Sequence, residues 1–412
     1  MRRRVSAAVA LGILASLLVA APASADQVRD QEYWLDDYGI RTAWNTTHGA
    51  GVTIAIIDTG VDGSVPELAG AVVGGADFSG LGSSNGQKPV GSDGSEHGTM
   101  VASLAVGRGT GANAGVIGAA PAASVLSISI GFGEGSTSSD EQIAQAVRYA
   151  VDQGADVINM SLTRNTRDWP ESWDDAFLYA MEHDVVVVAA AGNRGSGTTE
   201  VGAPATMPGV LTVGGVDVSG QASFDASSQG ITIGVSAPSE DLVGVVPGGD
   251  HVLWNGTSGA TPIVAGIVAL VRAAHPELDA ANVINRVIAT AHDAGAPGAD
   301  PIYGFGLVDA AAAVTANVPA VTANPMGDLA EWITIYRRAE STPVPVPTRT
   351  SVAPVLPEVA APPASPLGTL LPTVNLLRNV GVPLGVVVLF LGLFATILVL
   401  GVRRAKAARG TE

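Results

Sequence analysis

Five short runs of β-branched and apolar residues, at 52–57, 125–130, 156–162, 185–190 and 211–216, constrain the fold more than any other feature. Their near-continuous apolarity suits strands covered on both faces. Helix-like runs alternate with them. Residues 140–153 place Ile143, Ala146, Val147, Ala150 and Val151 on one helical face, with Ser139 to cap the helix and Gly154 to end it. This alternation over 26–316 predicts an α/β domain with a mainly parallel central sheet. Ligands of such sheets gather beyond the carboxyl ends of the strands, so chemistry is sought in the residues that follow them.

Asp58 ends the first run, and a carboxylate at the end of a buried strand needs a hydrogen-bonding partner to offset its desolvation. His97 opens a helix start after a loop rich in Gly and Ser, with small neighbours that leave its ring accessible. Asn193 follows the fourth run, where its amide could donate to a developing oxyanion. Ser258 lies in a turn of small residues that enters an apolar run at 263–271, read as a buried helix with Pro262 in its first turn. A hydroxyl there sits among unpaired N–H groups at the positive end of a helix dipole, and is a candidate nucleophile. Each residue alone has a plainer account: a turn carboxylate, a turn amide, a helix cap. His48, His183, His251, His275 and His292 read as structural or surface residues, and Asp62 and Glu96 as solvated.

Taken together, Asp58, His97, Asn193 and Ser258 run in the order aspartate, histidine, oxyanion donor, serine, which is the subtilisin order. IIDTGVD (56–62), HGT (97–99), AAAGN (189–193) and GTSGATP (256–262) resemble the triad and oxyanion signatures of the subtilisin family of serine endopeptidases. DVINMSL (156–162) and YGFGLVDAAAA (303–313) resemble its substrate strand and domain end. The resemblance implies a subtilisin-like three-layer fold and a protein or peptide substrate. It implies that Ser258 attacks the scissile carbonyl, His97 moves the proton, Asp58 orients His97, and Asn193 with the Ser258 N–H holds the oxyanion. Substrate is expected to pair as an added strand with the backbone of Ser129, Ile130 and Gly131 and of Ser161, Leu162 and Thr163. No cofactor is implied. Three departures stand out. Thr163 and Arg164 replace the usual glycines of the substrate strand, which predicts narrow specificity and a preference of Arg164 for acidic substrate neighbours. Gly259 replaces the usual methionine. The loop that holds calcium in many relatives has few oxygen-bearing side chains at 109–113, so no metal is expected.

The ends of the chain predict an address and an anchor. Residues 1–25 have a basic start, an apolar run and an Ala-Ser-Ala site, and read as a signal peptide. An extension at 26–50 is expected to pack on the peptidase domain at 51–316, too short for a folded inhibitory pro-domain. Residues 317–340 include a helix near 328–339, expected to dock back on the domain or to bind a partner. A Pro-rich spacer at 341–372 precedes a transmembrane helix at 382–402 and a basic tail at 403–412 that the positive-inside rule places in the cytoplasm. The chain has no cysteine, which excludes disulfides and thiolate metal sites. Residues 26–377 carry 13 Lys or Arg against 37 Asp or Glu, a balance that argues against nucleic acid as a partner. This architecture resembles the mycosins, membrane-anchored subtilases of actinobacteria associated with type VII secretion, and makes membrane proteins of a secretion complex candidate partners. Two rival readings remain: an α/β-hydrolase esterase built on Gly256-x-Ser258-x-Ala260 with His275 or His292, and a structural subunit of a secretion complex.

Overall fold

A computed structural model describes residues 27–135 and 137–337. The signal peptide, Pro-rich spacer, transmembrane helix and tail expected from the sequence lie outside the described residues.

Seven parallel strands form one sheet: β1 (Thr53–Asp58), β2 (Val72–Asp77), β3 (Ser124–Ser129), β4 (Val157–Met160), β5 (Val186–Ala190), β6 (Leu211–Val216) and β7 (Ile233–Pro238), in the order β2-β3-β1-β4-β5-β6-β7. The five expected runs are the five interior strands. The two additional strands are the sheet's edges: β2 has two glycines and no fully buried residue, and β7 ends in proline. Along β1 the side chains alternate between two cores. Ile54 and Ile56 join one, Ala55 and Ile57 the other. The first core is closed by α4 (His97–Val106), α7 (Thr257–Ala274), α8 (Ala280–Ala289) and α9 (Ala310–Thr315). The second is closed by α5 (Ser139–Asp152) and α6 (Glu171–Glu182), whose Trp173 and Phe177 are fully buried. Helices on both faces make three layers, as a doubly covered sheet requires.

Two local expectations are corrected. Ser138 caps α5, its hydroxyl accepting from the Glu141 N–H at 3.3 Å, while Ser139 is the first helical residue and donates to the Gly131 carbonyl. Helix α7 starts at Thr257, directly after Gly256 in a positive-φ conformation, so Pro262 falls inside the helix and not in its first turn. The length and apolarity of α7 would suit a membrane span, but here it is the buried central helix. A separate antiparallel hairpin, β8 (Leu242–Val245) with β9 (His251–Trp254), leads into it. His251, expected in a polar turn, opens β9 and bonds the buried Glu67 at 2.7 Å.

The segment before β1 is helical: α1 (Gln27–Asp30), α2 (Trp34–Asp37) and α3 (Ile40–Ala43), with Trp34, Leu35, Ile40 and Ala43 fully buried in the first core. After the domain, α10 (Leu329–Tyr336) is capped by Asp328 and lies against α6. The Trp332 ring packs at a tilt against Trp169, centroids 4.3 Å apart, and Arg337 bonds the Asp174 carboxylate at 2.9 Å and the Trp169 carbonyl at 2.8 Å.

Candidate active site

The sheet's carboxyl edge brings four of the expected residues together. Asp58, the last residue of β1, is fully buried, and its Oδ1 accepts the Thr59 N–H at 2.7 Å. His97 begins α4, and its Nδ1 lies 2.9 and 3.0 Å from the two Asp58 oxygens. The helix is fixed against the strand by Thr59, whose hydroxyl accepts from the Gly98 N–H and donates to the Ser95 carbonyl, both at 2.9 Å. Gly98 is required for this approach: a Cβ there would stand 2.4 Å from the Gly60 carbonyl oxygen. Burial pulls the His97 pKa down, but the charge and hydrogen bond of Asp58, with Glu96 adding, outweigh it and hold the imidazole above its ordinary value. A carboxylate on Nδ1 also selects the tautomer with Nε2 free to accept a proton.

Asn193 follows β5, and its Oδ1 accepts from both the Thr257 N–H and hydroxyl at 2.8 Å. Holding the amide by its oxygen leaves Nδ2 as the donor. A Cβ on Gly256 would come within 2.9 Å of that nitrogen, so glycine keeps the amide in place. Ser258 stands in the first turn of α7. Its hydroxyl donates to the Ser161 carbonyl at 3.1 Å in this structure, not to His97. Unliganded catalytic hydrogen bonds are often open in this way. His97, Asn193 and Ser258 all face one cleft of about 340 Å³. The group can supply a nucleophile, a base oriented by a carboxylate, and an oxyanion donor.

The expected substrate-binding residues divide. Ser161, Leu162 and Thr163 line the cleft. Ser129, Ile130 and Gly131 do not line this cleft, and several of their backbone groups are bonded within the domain. The Ser129 carbonyl accepts from Phe78, the Ile130 N–H donates to Asp58, and Gly131 bonds Gln142 through its N–H and Ser139 through its carbonyl. Phe132, one residue further on, forms the cleft wall instead and is half exposed. The Arg164 guanidinium pairs with Asp140 and lies 5.7 Å over the Trp173 ring, at a partly exposed position. Thr59, Asp93, Gly94 and Phe132 line the cleft without having been singled out from the sequence. Trp254, four residues before Ser258, was missed too and meets His97 edge-on at 5.7 Å.

A calcium ion does not fit the loop at 109–114. The Arg29 guanidinium already donates to the Ala114 carbonyl at 3.0 Å, and its side chain ion-pairs with Glu32 at 3.3 Å. Glu32 in turn accepts the Ile117 N–H at 2.8 Å. A cation of the chain itself thus already holds a carbonyl of this loop. The esterase reading fails on topology, because Ser258 follows an antiparallel hairpin outside the main sheet and the histidine that lines its cleft is His97, not His275 or His292.

Residues 49–306 match the model of the subtilase family. The chain is 38% identical to Subtilisin E of Bacillus subtilis (strain 168) over 268 residues, spanning 64% of this chain and 66% of the relative. It is 37% identical to the intracellular serine protease of Paenibacillus polymyxa over 232 residues, 56% of this chain and 69% of the relative. Among solved structures, MycP1 from Mycobacterium smegmatis superposes with a TM-score of 0.59 at 31% identity, covering 70% of this chain and 85% of that one. MycP3 from the type VII (ESX-3) secretion system gives 0.59 at 32% identity, covering 73% and 91%. The chain belongs to the subtilase family of serine endopeptidases.

Proposed function

We propose that the chain is a membrane-anchored, extracytoplasmic serine endopeptidase that cleaves peptide bonds through an acyl-enzyme, with Asp58, His97 and Ser258 as its triad and Asn193 in its oxyanion hole. The observation that carries this is the bidentate grip of Asp58 on His97 Nδ1 in the cleft that also holds Ser258 and Asn193. Ser258 rotates off the Ser161 carbonyl to reach His97, which takes its proton as the oxygen attacks the scissile carbonyl. Asp58 stabilises the imidazolium, which then protonates the leaving amine; water repeats the cycle in reverse roles. Asn193 Nδ2 and the Ser258 N–H receive the developing oxyanion.

Specificity is narrow at the cleft floor. Thr163 lines the cleft with a β-branched side chain where a glycine would leave open space, which supports this reading. A link to protein secretion is supported by the likeness to MycP1, described as an essential component of the type VII (ESX-1) secretion system. The apolar segment at 382–402 followed by basic residues supports the anchor. The test is labelling of the full-length chain by a fluorophosphonate, wild type against Ser258→Ala. Labelling that persists without Ser258 refutes the reading. Secretion that survives loss of proteolysis in Ser258→Ala would instead favour a structural role.

A further inference from the structure

The nucleophile sits four residues before a proline inside a helix. Pro262 has no N–H, so the Ser258 carbonyl loses the donor that an α-helix supplies from four residues on. That carbonyl is not left open. The Ser161 hydroxyl donates to it at 2.9 Å, from the end of the strand segment after β4. Ser161 is only 4% exposed, so water is a poor substitute there. The direction of this bond is itself fixed: Asn159 Nδ2, fully buried, donates to Ser161 Oγ at 3.1 Å, which leaves the hydroxyl proton to point at Ser258. In return, Ser258 Oγ donates to the Ser161 carbonyl at 3.1 Å. Two residues 97 positions apart are thus clasped twice, each hydroxyl donating to the other's carbonyl.

We propose that Ser161 is a positioning residue for catalysis: its hydroxyl replaces the helix hydrogen bond that Pro262 removes, and so sets the backbone from which Ser258 attacks. The inference rests on Ser258 being the nucleophile. An unmet buried carbonyl would let the first turn of α7 shift, and a displacement near 1 Å at a reacting atom costs on the order of a hundredfold in rate. Ser161→Ala therefore lowers kcat by about ten- to a hundredfold with KM within about twofold, and Ser161→Thr, which keeps the hydroxyl, recovers most of it.

The decisive experiment is a double-mutant cycle with Pro262→Ala, which returns an N–H to position 262. Hydrolysis of p-nitrophenyl acetate and the fluorophosphonate labelling rate are measured on the full-length chain for each variant, with thermal melts alongside. Ser161→Ala is expected to cost at least about tenfold when Pro262 is present but less than about threefold in the Pro262→Ala background. An equal loss in both backgrounds overturns the proposal. If Ser161→Ala does not fold, the same carbonyl explains it only if adding Pro262→Ala restores the fold; failure to restore it also overturns the proposal. Labelling that is independent of Ser258 would instead refute the underlying functional reading.

Discussion

Substituting Gly259 tests how the space beside the nucleophile is filled. An alanine Cβ at 259 would stand 2.4 Å from Leu242 Cδ1, 3.3 Å from Trp254 Cζ2 and 3.4 Å from Leu104 Cδ1. Carbon atoms prefer about 3.5–4.0 Å, so the first contact overlaps by more than about 1 Å. Leu242 is fully buried and has little room to retreat. Overpacking of this kind costs about 1–3 kcal/mol. Alanine regains about 1 kcal/mol over glycine within a helix. Gly259→Ala should therefore lose about 1 kcal/mol net, a fall of about 2 °C in Tm for a domain of this size. Leu242→Ala alone should lose about 2–5 kcal/mol through the cavity it leaves. In the double variant the overlap disappears and the new methyl occupies part of that cavity, so the losses should fall short of their sum by about 1–2 kcal/mol. Urea unfolding in a Ser258→Ala background, where self-digestion is removed, measures all three. Additive losses, or a Gly259→Ala protein stabilised by the full helix gain, would refute the packing described for Gly259.

Three further outcomes follow from the site and its supports. Proton abstraction needs neutral His97, whose pKa Asp58 holds above the ordinary value near 6.5, so the acid limb of kcat/KM should lie above about pH 6.5. Asp58→Asn should move that limb down and lower kcat by about 10⁴. Asn193→Ala should lower kcat by about 10²–10³ with little change in KM, measured by steady-state hydrolysis of a peptide ester. Burial pushes the Glu32 carboxyl up to about 8, against Arg29 and the Ile117 hydrogen bond, which pull it down. A raised carboxylate pKa favours the folded state most in acid, and that contribution declines as pH rises from about 4.5 to about 8. Thermal melts across this window should show the slope in the wild type and a flatter one in Glu32→Gln.

The interior of the sheet was readable because continuous apolar runs have few other homes, and β1, β3, β4, β5 and β6 fall on them. The edges were not. Val72–Asp77 is too glycine-rich and exposed to register as a strand. With β2 in place, Phe78 takes the Ser129 carbonyl and the Ser129 hydroxyl bonds Asp77 at 2.8 Å. Asp58, His97, Asn193 and Ser258 were legible because each stands among small residues at a strand end or helix start. Their supports are long-range: Ser161 to Ser258, Arg164 to Asp140 and Arg29 to Ala114 join segments that no local pattern pairs.

Those long-range supports bear on the role of the segment at 27–47. Trp34, Leu35 and Ile40 are fully buried, and each contributes about 1.5–3 kcal/mol by burial, so together they supply about 5–9 kcal/mol. Net stabilities of whole domains are only about 5–15 kcal/mol. Arg29 adds the bond that ties the loop at 109–114, and Trp44 Nε1 donates to the Ala119 carbonyl at 2.9 Å. A segment with this share of the stability should behave as part of the enzyme and not as a removable inhibitor. A site-specific protease sequence inserted between Thr47 and His48 puts this to the test. Cutting there and removing the released segment should collapse both the thermal transition and Ser258 labelling, and added calcium should restore neither. If the cut protein keeps its Tm within about 2 °C, the burial of these aromatic and aliphatic side chains does not carry the weight assigned to it.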